Sequence, residues 1–140
     1  AETERDAENL LLTRNGGALM MLNRYPYTSG HLMVAPRRHT AGFAELKPDE
    51  GADLQALLQL GVRALTAVYG PEGFNIGANL GEAAGAGIAE HLHFHIVPRW
   101  CGDTNFMSAV GGARVLPECL DETHARLAEA VKGLLAEQTK

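Results

Sequence analysis

Cysteine is scarce in this chain: 140 residues hold only Cys101 and Cys119, without Cys-x-x-Cys spacing. That fits a reducing compartment better than a disulfide framework, and both thiols read as structural or incidental. Basic charge is scarce too. Twelve Lys and Arg against 17 Asp and Glu give a formal charge of −5, the wrong sign for holding nucleic acid by phosphate neutralisation. Any phosphate bound here must be met locally, by backbone N–H groups, imidazoles and a few arginines. No apolar run approaches the roughly 18 residues of a membrane-spanning helix. Nor do the first residues set a basic segment before an apolar one, so the expectation is a cytoplasmic protein without membrane contact. The start at Ala1 rather than Met leaves a longer or trimmed natural N-terminus open.

What remains is the composition of an ordinary globule, 46% hydrophobic and 21% charged, which excludes disorder and fibrous repeats. The length is that of one domain, 1–140, able to bury a core without metal or disulfide. Residues 10–13 and 18–22 flank Asn15-Gly16-Gly17, a turn of residues that tolerate positive φ, and predict a β-hairpin. A loop through Tyr25-Pro26-Tyr27-Thr28-Ser29-Gly30 leads to a third strand over 31–35, ended by Pro36. Over 48–69 the apolar residues Leu54, Leu57, Leu58, Val62, Leu65 and Val68 recur at helical spacing, with Pro48 at the start and Gly70-Pro71 as the stop. Fourth and fifth strands follow over 74–79 and 91–97. A last helix over 118–137 puts Leu120, His124, Leu127, Val131, Leu134 and Leu135 on one side. The order β-β-β-α-β-β-α favours an α+β domain with a largely antiparallel five-stranded sheet and two main helices.

Three of the six histidines fall in His91-Leu92-His93-Phe94-His95. On a strand their imidazoles share one face, and Leu92, Phe94 and Ile96 take the other. A metal site and a nucleophile with its supports compete for that face. The outer two histidines stand about 13 Å apart along a strand, too far for all three to reach one zinc at about 2.0 Å. A metal would need two of them and a ligand such as His31 from elsewhere. A nucleophile asks for less, because a neutral imidazole attacks phosphorus while its other nitrogen is held by a hydrogen bond. The approach Gly81-Glu82-Ala83-Ala84-Gly85-Ala86-Gly87 lets backbone N–H groups near an anion without Cβ obstruction. His39 and His124 read as surface or packing residues, and Arg37-Arg38 as a solvated pair within possible reach of distal phosphates.

The run His91-Leu92-His93-Phe94-His95-Ile96-Val97-Pro98 resembles the signature of the histidine-triad (HIT) superfamily, and the likeness extends over residues 10–107. Leu22-Asn23-Arg24 with Pro26, then Gly30-His31-Leu32-Met33-Val34 and Pro36, is similar to the family's N-terminal half; Asn79 through Gly85 is similar to its phosphate loop. The resemblance implies a HIT-like fold that dimerises into a continuous larger sheet around the long helix. It implies that His93 is the nucleophile, His91 and His95 its flanking supports, and His31 a further active-site histidine behind it. Asn23 would lie by the ribose or base, with Asn79, Gly85, Ala86 and Gly87 near the phosphates. Arg99-Trp100 and Gly102-Asp103-Thr104-Asn105-Phe106 continue in the manner of fragile-histidine-triad hydrolases and bacterial diadenosine tetraphosphate phosphorylases. The implied activity is cleavage of dinucleoside polyphosphates through a nucleotidyl-histidine, resolved by water or phosphate. Alternatives are an adenosine phosphoramidase and a non-catalytic nucleotide-binding regulator. No metal or cofactor is implied beyond Mg²⁺ accompanying the substrate's phosphates. One departure stands out: Ala86-Gly87-Ile88 replaces the polar residue that many relatives carry after the loop's second glycine.

Overall fold

The computed structural model of the chain describes residues 2–87, 90–104 and 118–138. Along the chain these form α1 (Glu2–Glu8), β1 (Leu11–Arg14), β2 (Ala18–Leu22) and β3 (Leu32–Pro36). After a 3₁₀ turn at Phe43–Glu45 come α2 (Pro48–Tyr69), β4 (Gly73–Gly77), a second 3₁₀ turn at Glu82–Ala84, β5 (Phe94–Arg99) and α3 (Leu120–Gln138). Ile88 of the loop and Asn105-Phe106 of the tail lie outside the described residues, as does Met107 at the end of the family resemblance.

The five strands make one sheet in the order β1-β2-β3-β5-β4, every neighbouring pair antiparallel. This is the α+β architecture expected, with three corrections of detail. A short helix, α1, precedes the first hairpin and had no apolar period to announce it. The last two strands are displaced: β4 ends at Gly77, and β5 begins at Phe94 and runs on to Arg99. His91 and His93 therefore stand in the extended approach to the strand, not within it. The hairpin turn works differently from its expected logic, since none of Asn15, Gly16 and Gly17 takes a positive φ. The Asn15 side chain closes it instead, accepting from the Ala18 N–H at 2.8 Å and donating to the Asp53 carbonyl of α2 at 2.9 Å.

Strand period 2 sorts the sheet into two faces. Ala18, Met20 and Leu22 of β2, Leu32 and Val34 of β3, and Ile96 of β5 are buried under α2 and α3. From α2, Leu54, Leu57, Leu60, Gly61, Ala64 and Leu65 face them; Leu58 and Val62 of the expected stripe are only half-buried, on the flank of the helix. On α3 the buried residues are Thr123, Leu127 and Val131, and Leu135 points outward, against expectation. Gly61 sets the distance between α2 and the sheet. A Cβ there would stand 2.6 Å from Ile96 Cδ1 and 3.1 Å from Met20 Sδ. The opposite sheet face carries Met21, Met33 and His95 side by side, since Met21 pairs with Met33 and Met33 with His95. All three are partly exposed. The histidines thus lie on the face that the helices leave open.

Candidate active site

Each imidazole of the candidate site is oriented by a partner that fixes which nitrogen carries its proton. The His93 Nδ1 lies 2.9 Å from the His91 carbonyl oxygen. A carbonyl only accepts, so Nδ1 carries the hydrogen and a neutral His93 keeps its lone pair on Nε2. His91 Nε2 likewise donates to the Pro36 carbonyl, at 2.9 Å, which anchors the triad's approach to the end of β3. The neighbouring Leu92 N–H donates to the Thr40 carbonyl at 2.7 Å, and Leu92 is buried, so the segment before β5 is held at both backbone and side chain.

His31 is fully buried, directly before β3. The Tyr27 N–H donates to its Nδ1 at 3.1 Å. Neutral His31 must therefore carry its hydrogen on Nε2, which lies 2.9 Å from His95 Nδ1 and donates to it. His95 is left with an N–H at Nε2. The order of hydrogen bonds is Tyr27 N–H to His31 to His95, and the His95 ring then stands edge-on to His93 with centroids 4.9 Å apart. Burial, and secondly the charge of His93, hold the His95 pKa below the ordinary value of 6.5, which favours the neutral ring that this chain of donors requires. The loop that carries Tyr27 is closed by Asn23 N–H to the His31 carbonyl at 2.9 Å. Gly30 turns the chain into His31 with φ 82°, where a Cβ would also come within 2.8 Å of Leu65. That pair of constraints accounts for glycine before this histidine.

The structure thus brings His31, His93 and His95 together. His91 meets His39 instead, their rings edge to face at 5.1 Å. Asn23 lies at the loop's mouth, its Oδ1 accepting from the Tyr25 N–H at 2.8 Å and its amide 3.5 Å from both His31 ring nitrogens. In the loop over residues 81–87, the N–H groups of Gly85 and Ala86 donate within the turn, to Glu82 and Gly81 carbonyls, and the Asn79 amide donates to the Gly85 carbonyl at 3.3 Å. Arg38 is exposed, as is Arg37, but it is paired: it grips the Glu50 carboxylate from Nε at 2.7 Å and Nη2 at 2.9 Å, holding that carboxyl down at about 2.

The sequence pattern of the HIT domain matches residues 4–101. The chain belongs to the HIT family. Among HIT relatives, AP-4-A phosphorylase of Mycobacterium tuberculosis is 46% identical over 123 residues, 88% of this chain and 63% of that protein. Adenosine 5'-monophosphoramidase hnt1 of Schizosaccharomyces pombe is 35% identical over 82 residues, 59% of this chain and 58% of that protein. The chain spans less than two thirds of the length of either. A crystal structure of a zinc-bound histidine triad family protein from Mycobacterium smegmatis superposes with a TM-score of 0.75 at 29% identity, covering 97% of this chain and 93% of that one. In the present HIT chain, no three His, Cys, Asp or Glu among the described residues converge as a metal site. His91, His93 and His31 each commit one ring nitrogen to a backbone group, and the His31–His95 hydrogen bond occupies a second nitrogen of His31 and one of His95.

Sequence reasoning did not single out Tyr27, whose backbone sets the His31 tautomer and whose ring lies 4.6 Å from that of His31. A tyrosine four residues before the buried histidine was the only signal. Neither could pattern alone show that His39 borders His91, which depends on how the chain leaves β3.

Proposed function

We propose that this HIT protein is a nucleotidyl hydrolase or transferase that cleaves dinucleoside polyphosphates, diadenosine tetraphosphate among them, through a nucleotidyl-histidine on His93. The observation that carries the reading is the donation of His93 Nδ1–H to the His91 carbonyl, which leaves Nε2 as a directed nucleophile. Nε2 forms a bond to the α-phosphorus as the bond from phosphorus to the bridging oxygen breaks, and the leaving phosphate takes that electron pair. The ring becomes cationic, and the His91 carbonyl accepts a strengthened hydrogen bond from its Nδ1. His95 Nε2–H donates to a phosphoryl oxygen as charge builds there. Water or inorganic phosphate then attacks phosphorus, and the N–P bond returns its pair to Nε2.

Met21 and Met33, beside His95 on the open face, offer an apolar shelf for a base, with Asn23 within reach of the ribose. Asn79 and the loop through Gly85, Ala86 and Gly87 border the phosphates. Because the Gly85 and Ala86 N–H groups turn inward, the donors we assign to the substrate there are the Gly87 N–H and the second hydrogen of the Asn79 amide, whose first goes to the Gly85 carbonyl. No protein-bound metal is required by this scheme; Mg²⁺ travels with the phosphates. The resemblance to AP-4-A phosphorylase supports the substrate class, and that to the phosphoramidase hnt1 favours P–N cleavage as the second reading.

The open edge strand β4, bonded only to β5 among the described residues, supports a homodimer with a continuous sheet. A groove of about 550 Å³ beside it, lined by Leu58, Val62 and the half-exposed Ile76, is the surface a second copy would cover. The two cysteines are free and exposed, and no helix among the described residues is long and apolar enough to cross a membrane. Cytoplasmic residence accords with both.

The test is covalent trapping. Protein treated with a chelator, then mixed with diadenosine tetraphosphate and quenched at alkaline pH, should carry a nucleotidyl group on the peptide containing His93. His93→Asn should retain nucleotide binding and lose the adduct. An adduct elsewhere, or a His93→Ala protein turning over near the wild-type rate, overturns the mechanism. Faster turnover of an adenosine phosphoramidate than of any polyphosphate selects the second reading, and tight binding with no turnover selects a regulator.

A further inference from the structure

His31 and His95 share a hydrogen bond on the side of the sheet that the helices leave open, yet His31 is fully buried. Met33, two residues on and on the same face, is partly exposed. The side chain laid over His31 there is Tyr27. Its ring centroid lies 4.6 Å from that of His31 and 6.2 Å from that of His95, with the planes tilted by 35° and 31°. The two imidazole centroids are 5.0 Å apart, so the tyrosine ring faces both partners of the hydrogen bond while about half of the residue, 49%, stays in solvent. The backbone beneath the ring is held from several directions. Its own N–H donates to His31 Nδ1, the Thr28 hydroxyl donates to the Pro98 carbonyl of β5 at 3.1 Å, and the Thr28 carbonyl accepts from the His31 N–H at 3.2 Å. Pro26 fixes φ immediately before it.

A ring in this place has two opposed effects. By excluding water it strengthens the hydrogen bond and disfavours a charged imidazole. By its π face it attracts an imidazolium, but only within about 6 Å of the ring centroid. His95 lies outside that reach at 6.2 Å, and His31, which lies inside it, has both nitrogens engaged. Exclusion of water therefore prevails, in keeping with burial as the main cause that holds the His95 pKa low. Of the other groups facing His95, Met33 of β3 and Gly77 of β4 carry no charge, and Arg99 further along β5 is paired with Asp103. His93, 4.9 Å away between centroids, is the remaining titratable ring among the described residues. It turns cationic on bonding phosphorus, and a second imidazolium beside it would oppose that step.

We infer that Tyr27 is a positioning residue of this site: its ring keeps water from the His31–His95 hydrogen bond, and so holds His95 neutral with its Nε2–H turned to the substrate while His93 takes up positive charge. The inference rests on the nucleotidyl-transfer reading of His93. Its test begins without substrate, by NMR of protein labelled in its histidine rings and followed residue by residue during acidification. In wild type and in Tyr27→Phe, which keeps the ring, the neutral His95 with hydrogen on Nε2 should persist to the same pH. Tyr27→Ala keeps the backbone N–H and loses the ring, and its His95 should take up a proton at higher pH. The rate of His93 labelling by diadenosine tetraphosphate, wild type over Tyr27→Ala, should then rise about fivefold between about pH 8 and the pH at which wild type keeps half its maximal rate. A His95 midpoint unmoved in Tyr27→Ala, or moved equally in Tyr27→Phe, overturns the ring's role and leaves His93 chemistry standing. A moved midpoint in a protein whose His93 is never labelled removes the transfer reading, and the positioning role with it.

Discussion

A single proton on His95 carries two consequences. Its Nδ1 must be a bare acceptor for the His31 Nε2–H, 2.9 Å away, so protonation would set two hydrogens against each other. Burial already depresses this pKa below 6.5. As the pH falls through the unfolded value of about 6.5, the unfolded chain takes up a proton that the folded chain refuses. Stability is therefore lost with acidification from 6.5 down to the depressed folded value, and retained above it. Denaturant midpoints at about pH 7.5 and pH 5.5 should separate more for wild type than for His95→Gln, which lacks the titrating ring. Adduct formation, which uses the folded ring, should hold over that range and fall only as the pH passes below the depressed folded value. At this scale the sequence was informative about residue choice and silent about partners. His93 stood out as the middle of the triad, whereas the carbonyls of His91 and Pro36 that orient two of the rings belong to backbone, which no residue letter announces.

Among the elements, α2 and β5 are the pair whose fit matters most for the site. Gly61 lets them touch, and the Ile96 side chain it meets lies next to His95 on the strand. Gly61→Val would drive two methyl groups into fully buried Ile96 and Met20, and overpacking of this kind typically costs about 1–3 kcal/mol. A urea midpoint lowered, at unchanged slope, to match that loss of free energy, together with slower nucleotidyl transfer, is the expected outcome; an unaltered midpoint would show that the layers slide apart without strain. Helical periodicity gave α2 its true limits, because Pro48 and Gly70 mark its ends. It overstated the buried stripe, since Leu58 and Val62 satisfy the same spacing from a flank that neither the sheet nor α3 fully covers. The ends of the strands were less legible. His91 and His93 alternate with apolar residues as a strand would, but their backbone runs ahead of the ladder, where Leu92 bonds to the Thr40 carbonyl instead of to a neighbouring strand. The helix α1 had no signal beyond helix-tolerant residues.

For the molecule as a whole, the edge of β4 left unpaired among the described residues and the apolar flank of α2 lie side by side, and the proposed second copy of the chain would cover both. Sedimentation at micromolar concentration should show twice the 15.0 kDa of one chain. Ile76→Glu, at a half-exposed edge position, should return it to one, and a wild-type protein that sediments as a single chain would count against the shared sheet. The sheet's strand order has one more implication. β5 enters between β3 and β4, and its Ile96 pairs with Leu32 of β3, far away along the chain. Until β5 emerges from the ribosome and inserts, the first three strands and the fourth have no common neighbour. The strand that completes the architecture is also the one that carries His95, so a nascent chain brings His95 to His31 in the same step that makes it a single sheet. The His31–His95 hydrogen bond therefore forms only once the sheet is whole.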